Sequence, residues 1–364
     1  MLMLGIETSC DETSAAVVEE TDDAAKPWAI RSNVIASQVA IHREWGGVVP
    51  ELASRQHVRD ICGVVERALA DAGVTWSDLG AVAVTQGPGL VGSLLVGVSF
   101  AKAAAAAAGL PIIGVHHLAG HIESVVLQNG EMPLPAILLV VSGGHTSLYL
   151  VTAPGVYELL GRTRDDAAGE AYDKVARLLG LGYPGGPIVD KLAKQGNDTA
   201  IRWPGTRLTH PDRNAPKLKG DLDFSFSGLK TAVLRHVTLR REQVATLPDT
   251  EIADICASFQ RVVVKSLVER TFDAVQRYGA KSVGVAGGVS ANSRLRADMQ
   301  AYGAAREVPA FVPSLQLSTD NAAMIAAAGL RRFRAGLTTG MDMNADAALP
   351  LVNVVRTIPS PIHW

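Results

Sequence analysis

The sequence predicts an α/β protein of two duplicated lobes facing a cleft, and three observations lead there. An apolar run, a polar turn and a second apolar run open the chain at 2–18, and the same unit returns at 136–152. Behind each copy comes a strand that runs into a glycine turn and opens a helix. A chain of 364 residues, 48% of them hydrophobic, has material for two such cores.

Residues 2–7 read as a strand, Thr8 to Thr13 as a turn carrying hydroxyls with Asp11 and Glu12, and 14–18 as the returning strand. A third strand at 29–37 completes a meander ahead of the loop at 42–50. From 51 to 72, Leu52, Val58, Ile61, Val65 and Leu69 recur at helical spacing, and Gly73 stands where a C-cap glycine belongs. The strand at 79–85 leads into Gln86-Gly87-Pro88-Gly89-Leu90-Val91-Gly92-Ser93 and an alanine-rich helix to Ala108. Such a loop is either an anion cradle of unpaired backbone N–H groups or a tight turn whose glycines allow close packing. The second half repeats the scheme. Strands at 136–141 and 147–152 flank Ser142-Gly143-Gly144-His145-Thr146, and a helix at 166–179 follows. A strand at 282–286 ends in Gly287-Gly288-Val289-Ser290-Ala291-Asn292, and Asp320-Asn321 opens the last major helix.

Between the halves lies His116-His117-Leu118-Ala119-Gly120-His121. His117 and His121, at i and i+4, fall one above the other on a helix face, a metal-ligand spacing that still needs a third ligand from elsewhere. Taken alone, the pair reads more simply as a polar helix start facing solvent. The layout divides the chain into a first lobe (1–115), a metal-binding helix and connection (116–134), a second lobe with inserted helices (135–335) and a tail (336–364). Within the second lobe, 200–224 is irregular and basic, with Arg202, Arg207, Arg213, Lys217 and Lys219 against Asp212. It reads as a solvated loop or as a nucleic-acid-facing patch. Facing glycine turns in two lobes are the plan of the actin, sugar-kinase and heat-shock ATPase superfold, with a nucleotide-binding cleft between the lobes.

A net charge of −2 and a pI near 6.5 exclude a protein coated in positive charge, so any nucleic-acid contact must come from a local patch or a partner. Cys10, Cys62 and Cys256 are too scattered for a disulfide framework or a cysteine zinc site. The N-terminus lacks a basic segment before its apolar run, and the apolar stretch 103–115 is broken by Gly109, Pro111 and Gly114. A soluble cytoplasmic protein with no membrane association is the expectation.

Ten ordered segments carry a more specific signal: GIETSCDET at 5–13, GGVVPELASR, TQGPGLVGSLLVG, HHLAGH at 116–121, LVVSGGHT at 139–146, DDAAGEAYDK, YPGGP, DFSFSGLKTA, GGVSANSRLR at 287–296 and STDNAAMIA at 318–326. Over essentially the whole chain they resemble the tRNA N6-adenosine threonylcarbamoyltransferase family, known under an older name as O-sialoglycoprotein endopeptidase. The resemblance implies that His117 and His121 are helix-borne metal ligands and Asp320 the third, a set that suits Fe(II) or Zn(II). Val140, Val141, Ser142, Gly143 and Gly144, with Asp173, Gly186, Asp190 and Asn292, match the positions that hold an adenylate-type ligand, threonylcarbamoyl-AMP, with ATP or ADP as further candidates. Asp11 and Glu12 match the acidic turn facing the same cleft.

The implied reaction moves the threonylcarbamoyl group to N6 of the adenosine 3′ of the anticodon in ANN-decoding tRNAs and releases AMP. The expected division of labour has the metal orienting and polarising the carbamoyl carbonyl, glycine-turn N–H groups holding the phosphate, and Asp11 or Glu12 taking the N6 proton. Implied partners are tRNA, a paralogue of the same fold without the metal site, a small ATPase, and a separate synthase that supplies the adenylate.

Two other enzymatic readings compete. A metalloprotease would need a glutamate after the first histidine, where Leu118 stands. An ATP-dependent small-molecule kinase would have no use for a His-His-Asp set, because magnesium on phosphates prefers oxygen ligands. A non-catalytic nucleotide-binding scaffold would survive loss of His117 and His121.

Overall fold

A computed structural model of the protein describes residues 1–206, 208 and 220–354. Arg207, Arg213, Lys217, Lys219 and Asp212 of the basic stretch lie outside the described residues.

Two five-stranded sheets have the same connectivity. In the first, β1 (Leu2–Glu7), β2 (Glu12–Glu20) and β3 (Trp28–Ser37) form the antiparallel meander. Strand β4 (Ala81–Gly87) pairs in parallel with β1, and β5 (Ile112–His116) with β4, for the order β3-β2-β1-β4-β5. In the second, β6 (Ala136–Val141), β7 (Thr146–Ala153) and β8 (Val156–Arg162) repeat the meander. Parallel β9 (Ser282–Ala286) and β10 (Ala310–Phe311) complete the order β10-β9-β6-β7-β8. The expected duplication is therefore present, and the second half holds two strands beyond those the sequence suggests, β8 completing its meander and β10 its parallel edge.

The helices are α1 (Val39–Arg43), α2 (Pro50–Ala72), α3 (Val91–Ala108), α4 (His117–Asn129), α5 (Ala168–Leu179), α6 (Gly185–Ala193), α7 (Ser227–Gln243), α8 (Asp249–Tyr278), α9 (Ser293–Ala304), α10 (Leu315–Ser318) and α11 (Ala322–Arg334). Strand alternation assigns the layers. On β1, Leu4 and Ile6 face α2 and α3, with Ile61, Val65 and Val98, whereas Met3 faces α11. On β6, Ile137, Leu139 and Val141 face α5 and α8, while Leu138 and Val140 turn to α4. Helix α4 is thus the wall between the lobes: Leu118, Ile122 and Val125 pack on the second sheet, and Ala119 and Val126 pack with α11 against the first.

Close approach to α11 depends on two glycines. A Cβ on Gly5 would stand 2.3 Å from the Ala322 carbonyl oxygen, and one on Gly120 would stand 2.8 Å from Ile325 Cδ1. With hydrogens in both places, β1 and α4 press directly against α11, which brings Asp320, just ahead of that helix's N-cap, up to the histidine face of α4.

Several local expectations change. The turn after β1 is shorter than expected, since β2 begins at Glu12 and only Asp11 remains in the bend. The loop after β4 is a packing turn: a Cβ on Gly89 would meet the Ser9 backbone at 2.6 Å, and Leu90 N–H donates to the Ser9 carbonyl at 2.8 Å. Lys174 on α5 pairs with Asp166 and Glu170, both at 2.7 Å. Helix α3 is, among the described residues, long and apolar enough by composition to cross a membrane, yet Leu94, Val98, Ala101 and Ala105 bury one face of it in the first lobe.

Candidate metal centre and adjoining cleft

His116 ends β5 and caps α4. Its Nδ1 accepts the Leu118 N–H at 3.1 Å, so Nε2 carries the hydrogen and donates to the Leu349 carbonyl at 2.9 Å. Burial holds His116 neutral, with its pKa pushed down to about 4. That imidazole is spent on backbone groups, and the helix it starts carries His117 and His121 inward with ring centroids 4.6 Å apart.

Asp320 arrives from the far end of the chain. Asn321 caps α11 by accepting Met324 N–H at 3.1 Å, and Ser14 Oγ on β2 accepts Ala322 N–H at 2.9 Å. Asp320 Oδ1 then lies 3.2 Å from His121 Nε2 and 3.5 Å from His117 Nε2. The donor atoms of the three side chains all fall within 4.8 Å of one another.

Behind His117 stands Glu7, fully buried at the end of β1. Its Oε2 is 3.0 Å from His117 Nδ1 and accepts Thr85 Oγ1–H at 2.8 Å, and its Oε1 accepts Ser9 N–H. Burial alone would raise this carboxyl, but the charge and hydrogen bond of His117 hold it below the ordinary glutamate range. His117 responds in kind: burial works against its charge, Asp320 and Glu7 more than offset that, and its pKa rises to about 9. Burial likewise opposes the Asp320 carboxylate, which His117 and His121 nevertheless hold well below the usual range.

Does this set fit a metal ion? His121 is fully buried, and neither ring nitrogen makes a hydrogen bond; the Asp320 oxygen is near in distance but not aligned for one. Orphaned imidazole nitrogens in a core are costly unless something else binds them. Two imidazoles and a carboxylate, with a second carboxylate fixing one ring from behind, form a donor set suited to a borderline transition-metal ion. Electrostatics agree, because Glu7, Asp11, Glu12 and Asp320 crowd one region and a cation there would offset their repulsion.

On the cleft side, burial and the charges of Asp11, Asp320 and Glu7 push the Glu12 carboxyl well up. Burial and the charges of Asp11, Asp320 and Glu12 also raise the Cys10 thiol, which removes it as a nucleophile. Across the cleft, Asp173 accepts Gly185 N–H at 2.7 Å, and burial raises its carboxyl despite that bond. Gln260 joins two of the expected residues: its Nε2 donates to Asp190 at 3.1 Å, and its Oε1 accepts from Asn292 Nδ2 at 2.7 Å. Gly143, Gly144 and Gly186 open onto free space, as does Gly288. The side chains of Val140 and Val141 are wholly in the core, so only their backbone could face a ligand. Ser142 N–H is already used by the His145 carbonyl at 2.8 Å.

A family model described as TsaD, tRNA N6-adenosine threonylcarbamoyltransferase, matches residues 29–327. The chain belongs to this family. It is 53% identical over 348 residues to the tRNA N6-adenosine threonylcarbamoyltransferase of Anaeromyxobacter dehalogenans, covering 95% of this chain and 98% of that one. With the enzyme of the same name from Moorella thermoacetica it shares 50% identity over 349 residues, 96% of this chain and 97% of that one. Among solved structures, full-length HypF in its phosphate- and nucleotide-bound form superimposes with a TM-score of 0.56 at 13% identity, over 90% of this chain and 46% of that one. That likeness speaks to the fold, the actin, sugar-kinase and heat-shock ATPase superfold.

For a threonylcarbamoyltransferase chain, the residues that sequence reasoning missed are instructive. Glu7 ends an apolar strand and carries no local signal of its buried contact with His117. Gln260 sits in the middle of α8 and carries no local signal, and Ser293, whose Oγ donates to Asp190 at 2.8 Å, lay inside a quoted motif without an assigned part.

Proposed function

We propose that this chain transfers a threonylcarbamoyl group from its adenylate to N6 of the adenosine 3′ of the anticodon in ANN-decoding tRNAs, releasing AMP. The observation that carries the reading is the convergence of His117, His121 and Asp320 on the lobe-separating helix, beside the cleft that Asp11 and Glu12 enter. An Fe(II) or Zn(II) ion held by these three residues would supply Lewis-acid polarisation of the acyl oxygen.

The chain's own groups have distinct parts in this reading. Glu7 holds the proton on His117 Nδ1 and turns Nε2 toward the open side. Gly143, Gly144 and Gly186 let a phosphate-bearing ligand approach the backbone, and Asp190 and Asn292, tied through Gln260, shape the nucleoside end. The mixed anhydride already has a good leaving group, so the demand falls on the weakly basic N6 amine. A carboxyl with a raised pKa is a stronger base once ionised, and Glu12, paired with Asp11, is placed to take the N6 proton as the C–N bond forms.

In this reading the lobes span 1–115 and 135–335, 116–134 forms the wall between them, and 336–354 of the tail crosses both. The paralogous partner docks on the first lobe, where Val58 on α2 and Val91 and Leu95 on α3 are exposed. A small ATPase and a separate synthase complete the system, which works in the cytoplasm. ATP and ADP are alternative occupants of the adenylate site.

The test is AMP release. Purified protein with its partner proteins, given preformed threonylcarbamoyl-adenylate, should release AMP in step with added tRNA. Release that ignores tRNA would contradict transfer.

A further inference from the structure

A cavity opens beside the His145 turn, lined by none of the residues matched to the adenylate. It measures about 290 Å3 and lies between the ends of β4 and β5 in the first lobe and the start of β7 in the second. Pro88, His116, His145 and Tyr149 line it, and the tail residues Ala348 and Leu349 form its outer wall. Neither Asp173, Gly186, Asp190 nor Asn292 reaches it.

Its position relative to the metal centre is what matters. His116 and Leu118, which flank His117 in the chain, are both in its wall. His145 feels the charges of His117, His121 and Asp320, so the cavity and the triad are near neighbours. The His145 ring nitrogens make no hydrogen bond among the described residues. A neutral imidazole offers one donor and one acceptor side by side, the complement of the donor and acceptor on an adenine edge. Around it stand a phenol ring, a proline and a second imidazole, flat surfaces of the kind on which unstacked bases settle. An enzyme that acts on a base within a folded RNA has to draw that base out and seat it in a pocket next to the reacting atom.

We infer that this cavity, bounded by Pro88, His145, Tyr149 and the tail at Ala348, is the seat of the acceptor purine nucleoside, extruded from an RNA loop. The inference rests on the transfer reaction proposed above and adds where the acceptor enters. The donor adenylate and the acceptor base then occupy different pockets near the triad, and the tail segment at 347–351 becomes part of the RNA-binding surface.

Two variants test it with full-length protein and its partner proteins. In Ala348→Trp, an exposed alanine of the cavity lining is replaced by a bulky ring. In His145→Ala, the unpaired imidazole is removed. Both should raise the KM for tRNA about tenfold or more, while equilibrium binding of threonylcarbamoyl-adenylate and the bound metal content stay within about twofold of wild type. An unchanged KM for tRNA in both variants would overturn the assignment while leaving the transfer reaction standing, provided the wild type makes product. Weakened adenylate binding in Ala348→Trp would overturn it differently, by giving the cavity to the donor. A wild type that makes no product would remove this inference together with the reading on which it rests.

Discussion

Glu7 Oε2 lies 3.0 Å from His117 Nδ1, inside the core and on the opposite side of the ring from Asp320. The carboxylate is itself held by Thr85 and Ser9, so the ring is fixed in tautomer and in direction before any cation arrives. Glu7→Gln keeps the shape but places an amide N–H₂ among groups that donate. Affinity for a divalent cation should fall about 10- to 100-fold, and stability should fall by roughly 1–3 kcal/mol. Metal titration followed by fluorescence or calorimetry, with thermal unfolding of the metal-free protein alongside, reads both. Unchanged affinity would mean that Glu7 only fills space.

The raised pKa of His117 gives a pH dependence with a definite sign. In metal-free protein, His117 holds its proton to about pH 9, whereas the unfolded chain releases it near the ordinary histidine value. The stabilisation is complete below that ordinary value and is lost as pH rises through about 9. Cation binding requires the neutral ring, so affinity should tighten about tenfold for each pH unit gained below 9. Chelator competition at pH 7 and pH 8 checks this, and equal affinities at the two values would contradict it.

Further along α4, Glu123 fixes the register of the metal-binding helix against α11. Arg331 Nη2 reaches Glu123 Oε2 at 2.9 Å and Glu131 Oε1 at 2.8 Å, and Trp28 Nε1 donates to Glu123 Oε2 at 3.0 Å. Glu123 is buried and the Arg331 side chain nearly so, and removing the acid leaves the guanidinium with Glu131 as its only carboxylate partner among the described residues. Glu123→Ala should cost roughly 3 kcal/mol or more in unfolding free energy, with chemical denaturation as the measurement. A change within about 0.5 kcal/mol would show the network to be incidental.

Glu12 is predicted to matter for rate and not for metal loading. Glu12→Gln should slow single-turnover transfer about 100-fold or more while the metal content of the purified protein stays at wild-type level. Full transfer by this variant would hand the base to Asp11 or to neither.

Much of this architecture could be read from the chain, for physical reasons. The alternation of Leu4 and Ile6 with Met3, and of Leu139 with Leu138 and Val140, reports sheets covered on both faces, and the repeated strand-turn-strand unit reports the duplication. The i, i+4 spacing of His117 and His121 likewise shows in any helical reading. Asp320 is different, since no local pattern says that it folds back onto α4; only family resemblance supplied it. Glu7 escaped because its partner is 110 residues away and a carboxylate ending a strand has no signature of its own. Strand β10 was missed because two residues cannot show a period, and the glycine loop after β4 could be assigned to packing only once Ser9 was seen against it.

The most direct test supplies the metal-loaded protein and its partner proteins with threonylcarbamoyl-adenylate and unmodified ANN-decoding tRNA, then looks for N6-threonylcarbamoyladenosine by mass spectrometry. A His121→Ala protein shown to be folded runs beside it. The account predicts modified nucleoside from the wild type and none from the variant. Product from both would contradict the role given to the His117, His121 and Asp320 centre, and product from neither would contradict the transfer itself.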